Sequence, residues 1–143
     1  MAKIAVIIPT YNRQRLLKEA VKSLLAQTLN DWEAVVIDGS TEYLLPEFQD
    51  QRIKYLHEKD YHISGLAQAR NLGVEQTDSK YIAYLDDDEY YYPTKLEVMY
   101  NFLESEAKGE FAYHDIVVSV VRLVGDSFQH ICVQKPHWHP QGD

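Results

Sequence analysis

Cysteine is nearly absent, with Cys132 the single one in 143 residues. One cysteine cannot close an intrachain disulfide, so the fold must rest on a packed core, and a reducing, cytoplasmic compartment is expected. Its neighbours Ile131 and Val133 mark it as a small strand residue without chemistry of its own. Long apolar runs are missing too. Ile4 to Ile8 is cut at Pro9, far short of the roughly 20 residues of a membrane span, and it does not read as a targeting signal. Peripheral contact with a membrane stays open. Positive charge is scarce: 14 Lys and Arg stand against 22 Asp and Glu, a net charge of -8. That balance excludes the basic surface that nucleic-acid binding needs. There is no repeat, low-complexity tract or Pro/Gly/Ser linker, so one domain over residues 1–143 is expected.

What is present alternates. Lys3 to Ile8 reads as a strand buried on both faces, ended by Pro9. Asn12 is placed to cap a helix whose Leu16, Leu17, Ala20, Val21, Leu24 and Leu25 line one face. Glu33 to Ile37 and Arg52 to His57 are further strands, and Tyr43 to Asp50 has room for a short helix. Ser64 is the expected cap of a helix reaching about Gln76. Lys80 to Leu85 is a fourth strand, followed by a helix from Pro93 to about Glu106. Strands alternating with helices give an α/β class with a mainly parallel sheet. Phe111 to Val124 and His130 to Val133, joined at Gly125-Asp126, read as an antiparallel C-terminal addition.

Chemistry concentrates where the fourth strand ends. Asp86-Asp87-Asp88-Glu89 sets four acids in a row, and their mutual repulsion calls for compensation. A hard divalent cation, which binds carboxylate oxygens and phosphate oxygens together, is the usual one. The bland alternative is a solvated acidic turn. Two other polar loops follow strands, Thr10 to Arg13 and Asp38 to Ser40. A parallel sheet brings all three to its carboxyl edge, where open α/β sheets bind ligands.

The motifs Ile7-Ile8-Pro9-Thr10-Tyr11-Asn12-Arg13, Asp38-Gly39-Ser40-Thr41-Glu42, Gly65-Leu66-Ala67-Gln68-Ala69-Arg70-Asn71-Leu72-Gly73 and Asp86-Asp87-Asp88 with Pro93 and Lys95-Leu96, in this order, resemble family 2 glycosyltransferases of the GT-A fold. The resemblance covers about Lys3 to Leu103. It implies a GT-A three-layer sandwich and an inverting transfer of sugar from a nucleotide-diphosphate sugar, UDP-sugar foremost. It also implies Mn²⁺ or Mg²⁺ as cofactor. Asp88 matches the metal ligand, with Asp86 assisting; Asp86 and Asp87 match positions that contact ribose or complete the metal's surroundings. Pro9, Thr10 and Tyr11 match the wall of the nucleoside pocket, Asp38 an acid on the base, and Arg70 a cation near base or phosphates.

Each residue also has a bland reading. Tyr11 packs on a base or is a half-buried loop residue. Asp38 contacts a base or makes an Asx turn. Arg70 meets the ligand or pairs with a sheet-edge acid. Gly73 lets a helix approach the sheet.

Two features depart from the family pattern. Ile37 leads straight into Asp38-Gly39, where an extra residue, often a second acid, is usual. Downstream, only Gly142-Asp143 looks like the motif that carries the catalytic base, so Asp143 is the candidate base. The acceptor half of the domain is expected to be missing or much reduced, and the chain alone to transfer slowly or not at all. The alternative function is a nucleotide-sugar-binding module without that base. His137 and His139, two apart, suit a metal or a solvated tail. A phosphatase of the haloacid-dehalogenase type is excluded because Glu89-Tyr90 follow the acids, on the fourth strand rather than the first. An EF-hand is excluded because the required Gly and bidentate Glu are absent. Self-association through an exposed apolar patch is a further expectation.

Overall fold

The computed structural model describes residues 2–42, 49–58, 65–105, 118–124 and 127–134. The chain divides into two compact units, Met1–Lys108 and Gly109–Asp143. In the first, the elements are β1 (Ile4–Thr10), α1 (Gln14–Leu25), β2 (Trp32–Asp38), β3 (Ile53–His57), α2 (Leu66–Glu75), β4 (Tyr81–Tyr84) and α3 (Lys95–Ser105). The four strands form one parallel sheet in the order β3-β2-β1-β4. Helices cover both faces, as a sheet of parallel strands requires. This is the α/β class expected, with an antiparallel pair added: β5 (Val118–Val124) and β6 (Ser127–Gln134) form a two-stranded sheet in the second unit.

β1 is the centre of the sheet, and every residue of it is buried. Its alternate side chains feed two cores. Ile4, Val6 and Ile8 join Trp32, Ala34 and Val36 against Leu17, Ala20, Val21 and Leu24 of α1 and Leu96 of α3. Ala5 and Ile7 join Val35 and Ile37 against Ala69 of α2. Gly73 of α2 lies directly on β1: a Cβ there would collide with Ile7 Cγ2. The close approach expected of this glycine is therefore real.

The structure corrects four local expectations. Pro9 does not end β1, which continues to Thr10. Lys3 and Ile7 carbonyls accept from Tyr81 and Leu85 on the β4 side, whereas the Thr10 carbonyl accepts from Gly39 on the β2 side. By alternation the imino nitrogen of Pro9 faces the β4 side, beyond the end of β4 at Tyr84, where no N–H is needed. Leu25 does not share the buried stripe of α1 and is exposed. Asn12 does not cap α1: Arg13 holds the N-cap position without a side-chain bond. Asn12 takes a left-handed φ of 53°, which asparagine tolerates, and joins two loops instead. At α2 the N-cap is Gly65, with φ 84°; the expected cap Ser64 lies outside the described residues, as does most of the stretch read as a short helix, 43–48.

Candidate functional site

Parallel register places the ends of β1, β2, β3 and β4 on one edge, and the three polar loops emerge there. The loops are bonded to one another. Asn12 N–H donates to Ser40 Oγ at 2.8 Å, and Asn12 Oδ1 accepts from Thr41 N–H at 3.2 Å. This ties the β1–α1 loop to the loop after β2. The acidic stretch folds as a tight turn, with Glu89 N–H donating to the Asp86 carbonyl at 3.0 Å.

The three aspartates of that turn differ in burial and in how they are held. Asp87 is 5% exposed; its Oδ2 accepts from Thr10 Oγ1 at 2.7 Å and its Oδ1 from Arg13 Nη1 at 3.3 Å. Burial raises its pKa, against the pull of the Thr10 hydroxyl and the Arg13 charge. Asp86 accepts from Arg70 Nη2 at 2.7 Å, and the Arg70 guanidinium lies 5.4 Å from the centroid of Tyr84. Asp88 is outermost, with its side chain 53% exposed, and pairs with Arg13 Nη1 at 3.2 Å. Two arginines thus supply part of the compensation that the acid run demands. Arg13 also lines an open cleft of about 470 Å³ with Asn12, Arg15, Ser40, Thr41 and Glu42. Arg13 had no assigned role in the sequence; its place at the end of the polar loop Thr10 to Arg13 was the only signal.

A second set of residues holds the turn from behind. Gln27, buried after α1, donates to the Ser23 and Tyr92 carbonyls at 3.1 and 2.8 Å and accepts from Leu96 N–H at 3.0 Å. Thr28 N–H donates to the Pro93 carbonyl at 2.8 Å, and Tyr91 N–H donates to Ser23 Oγ at 3.0 Å. The chain leaving the acids is therefore pinned to α1. No sequence motif pointed to Gln27, because a buried glutamine is recognisable only from its neighbours.

Asp38 and Arg70 do not meet. Asp38 shares the sheet face of Ala34 and Val36, whereas α2, which carries Arg70, packs on the face of Val35 and Ile37. Asp38 is buried, its Oδ1 accepting from Ser40 N–H at 2.8 Å and from Ser40 Oγ, its Oδ2 from Tyr55 Oη. It makes the Asx turn read as its bland alternative. Arg70 likewise makes the ion pair with a sheet-edge acid. Tyr11 is 37% exposed on the loop after β1, and Pro9 lies inside β1. Asp143, His137 and His139 fall outside the described residues.

Among the described residues no three of His, Cys, Asp or Glu converge as a cation cage. The donor set suits the other mode, in which a small hard cation takes one or two carboxylates and fills its shell with water and phosphate oxygens. Asp88, exposed beside Asp86 and Asp87, fits that mode. No helix among the described residues is long and apolar enough to cross a membrane.

Comparison with known proteins bears on this geometry. Residues 5–128 match the profile described as Glycosyl transferase family 2. An uncharacterised glycosyltransferase of Rickettsia bellii is 44% identical over 108 residues, 72% of this chain and 15% of the relative. The UDP-Glc:alpha-D-GlcNAc-diphosphoundecaprenol beta-1,3-glucosyltransferase of Escherichia coli is 32% identical over 104 residues, 70% of this chain and 40% of the relative. The chain thus spans less than half the length of these relatives. S. aureus TarS 1–349 in complex with UDP-GlcNAc superposes with a TM-score of 0.65 at 23% identity, covering 73% of this chain and 32% of that one. The Pyrobaculum calidifontis mannosyltransferase in complex with GDP-Man and Mn²⁺ gives a TM-score of 0.60 at 21% identity, covering 75% and 33%. These two likenesses carry the fold.

Proposed function

The chain belongs to glycosyl transferase family 2, and from that premise we propose that it binds a nucleotide-diphosphate sugar at the carboxyl edge of its sheet for an inverting, cation-dependent sugar transfer. One observation carries the reading. Thr10, in the loop matched to the nucleoside pocket, is bonded directly to Asp87 of the acidic turn. Nucleoside loop and acidic turn are one connected structure, as a ligand with a base at one end and a diphosphate at the other requires.

In this reading Asp88 is the principal ligand of Mn²⁺ or Mg²⁺, with Asp86 assisting. A cation bound there would supply Lewis-acid neutralisation of the charge that grows on the departing diphosphate. Thr10 holds Asp87 in place, and Arg70 orients Asp86. Pro9 to Tyr11 wall the nucleoside pocket, with the exposed ring of Tyr11 offered to the base. Asp38 works one step back, bracing Ser40, which in turn bonds the loop at Asn12. Such bracing matters because much of the rate of a transfer comes from positioning. UDP-sugars are the first candidates, since the E. coli relative is named for UDP-Glc and TarS is seen with UDP-GlcNAc. GDP-Man, seen with the Pyrobaculum calidifontis mannosyltransferase, is the alternative. Asp143 is the proposed base for the acceptor hydroxyl.

The test is calorimetric titration with UDP-Glc, UDP-GlcNAc and GDP-Man, with and without Mn²⁺. Binding is expected only with the cation, and Asp88→Asn should weaken it by about tenfold or more, each tenfold being about 1.4 kcal/mol. Equal affinity with and without Mn²⁺ overturns the reading. A panel of acceptors, with Asp143→Asn alongside, then separates sugar transfer from donor binding alone.

A further inference from the structure

We propose that Arg13 is a built-in counter-ion that yields Asp88 to the cation, turns to the diphosphate, and so couples the two binding events. This rests on the nucleotide-sugar reading above and assigns Arg13 a role that reading does not contain.

The two arginines at the acidic turn are held differently. Arg70 meets Asp86 at 2.7 Å, the length of a strong charge-assisted bond. Arg13 spreads one nitrogen, Nη1, over Asp87 and Asp88 at 3.3 and 3.2 Å, and its side chain is 54% exposed. A guanidinium carries five N–H donors, and this one commits a single nitrogen at long range.

Its two acids respond differently to its departure. Asp87 keeps the Thr10 hydroxyl and stays in place. Asp88 is given up to solvent, or to whatever else binds there. A divalent cation on an Asp88 oxygen stands roughly 2.0–2.6 Å from it. Arg13, on the same carboxylate, would then face that cation across only a few ångströms, like charge against like charge. Cation and arginine therefore compete for Asp88.

A diphosphate resolves the competition. It presents paired oxygens that match the guanidinium fork better than two separate carboxylates do. Arg13 already stands at the boundary, bonded to the acidic turn and lining the cleft at the start of α1. Cation binding is then weak alone and strong with the nucleotide, and by linkage the nucleotide gains equally from the cation.

The experiment measures Mn²⁺ affinity of the full chain by electron paramagnetic resonance, with and without UDP, in wild type, Arg13→Gln and Arg13→Lys. In wild type, UDP should improve Mn²⁺ affinity by about 5- to 150-fold, the usual range of such coupling. Arg13→Gln should bind Mn²⁺ alone more tightly than wild type and lose most of the improvement by UDP. Arg13→Lys keeps the charge but not the fork; it should resemble wild type with Mn²⁺ alone and show weaker coupling. It also guards against a folding defect in the Gln variant. Unchanged or weaker Mn²⁺ binding in Arg13→Gln, with wild-type coupling, overturns the inference and leaves the nucleotide-sugar reading standing. Wild type that binds neither Mn²⁺ nor UDP overturns both.

Discussion

At the scale of single residues, side chains that look alike in sequence have been given different work by their surroundings. Asp86, Asp87 and Asp88 are adjacent, yet one is paired to Arg70, one is buried on Thr10, and one faces solvent. Thr10→Val tests the buried one. Valine keeps the shape and removes the donor, leaving an Asp87 oxygen short of a partner; the expected loss is about 1–3 kcal/mol in urea unfolding. An unchanged midpoint would mean that water or Arg13 replaces the hydroxyl. Lys95 offers a pH signature. Its Nζ lies 3.3 Å from the centroid of Tyr91, whose face favours the cation. Burial nonetheless brings its pKa down to about 8 from an ordinary 10.5, with Glu89 opposing. Below pH 8 both states hold the proton, and the cost of the buried charge applies in full. Between pH 8 and 10.5 the unfolded chain binds more protons than the folded one, so stability rises with pH. Lys95→Met should flatten that rise across the same window; equal slopes would remove Lys95 as its cause.

At the scale of elements, α2 and β1 carry the clearest mutual constraint. Gly73→Ala gains about 1 kcal/mol of helix propensity. It also drives a methyl into Ile7, a β-branched side chain sealed in the core. Overpacking of this kind costs about 1–3 kcal/mol, so net destabilisation is expected. In an Ile7→Ala background the penalty should vanish, and a double-mutant cycle in urea measures the coupling. Additive effects would show that α2 shifts away instead. The same element carries Arg70 to the sheet edge, so its seating also sets where Asp86 is held. The pinning of residues 92–97 by Gln27 and Thr28 has the parallel effect for the other end of the acidic turn.

At the scale of the whole molecule, the unit Met1–Lys108 holds both cores and all three edge loops. A ligand that bridges those loops binds only the folded state and should stabilise it by mass action. UDP with Mn²⁺, at about 100 times their dissociation constants, should add about 2.7 kcal/mol. The thermal midpoint is expected to rise with the pair and to move much less with either component alone. A midpoint that the pair leaves unmoved would remove the nucleotide site from this chain.

The alternation of apolar runs with helical stripes determined the parallel sheet, because strand and helix periods are written directly in the residue order. The same is true of the loops that converge: in a parallel sheet every strand end faces one way, so Thr10, Asp38 and Asp86 to Asp88 had to share an edge. Partner choice could not be read in that way. Whether Arg70 met an acid, whether Asp38 was buried, and whether Arg13 reached the acidic turn depend on which face each side chain takes and how far it extends across strands. Pro9 inside β1 and Asn12 between two loops belong to the same class. Both obey local rules, but the rule that applied was selected by a neighbouring strand that ends at Tyr84 and by a loop 29 residues away at Thr41.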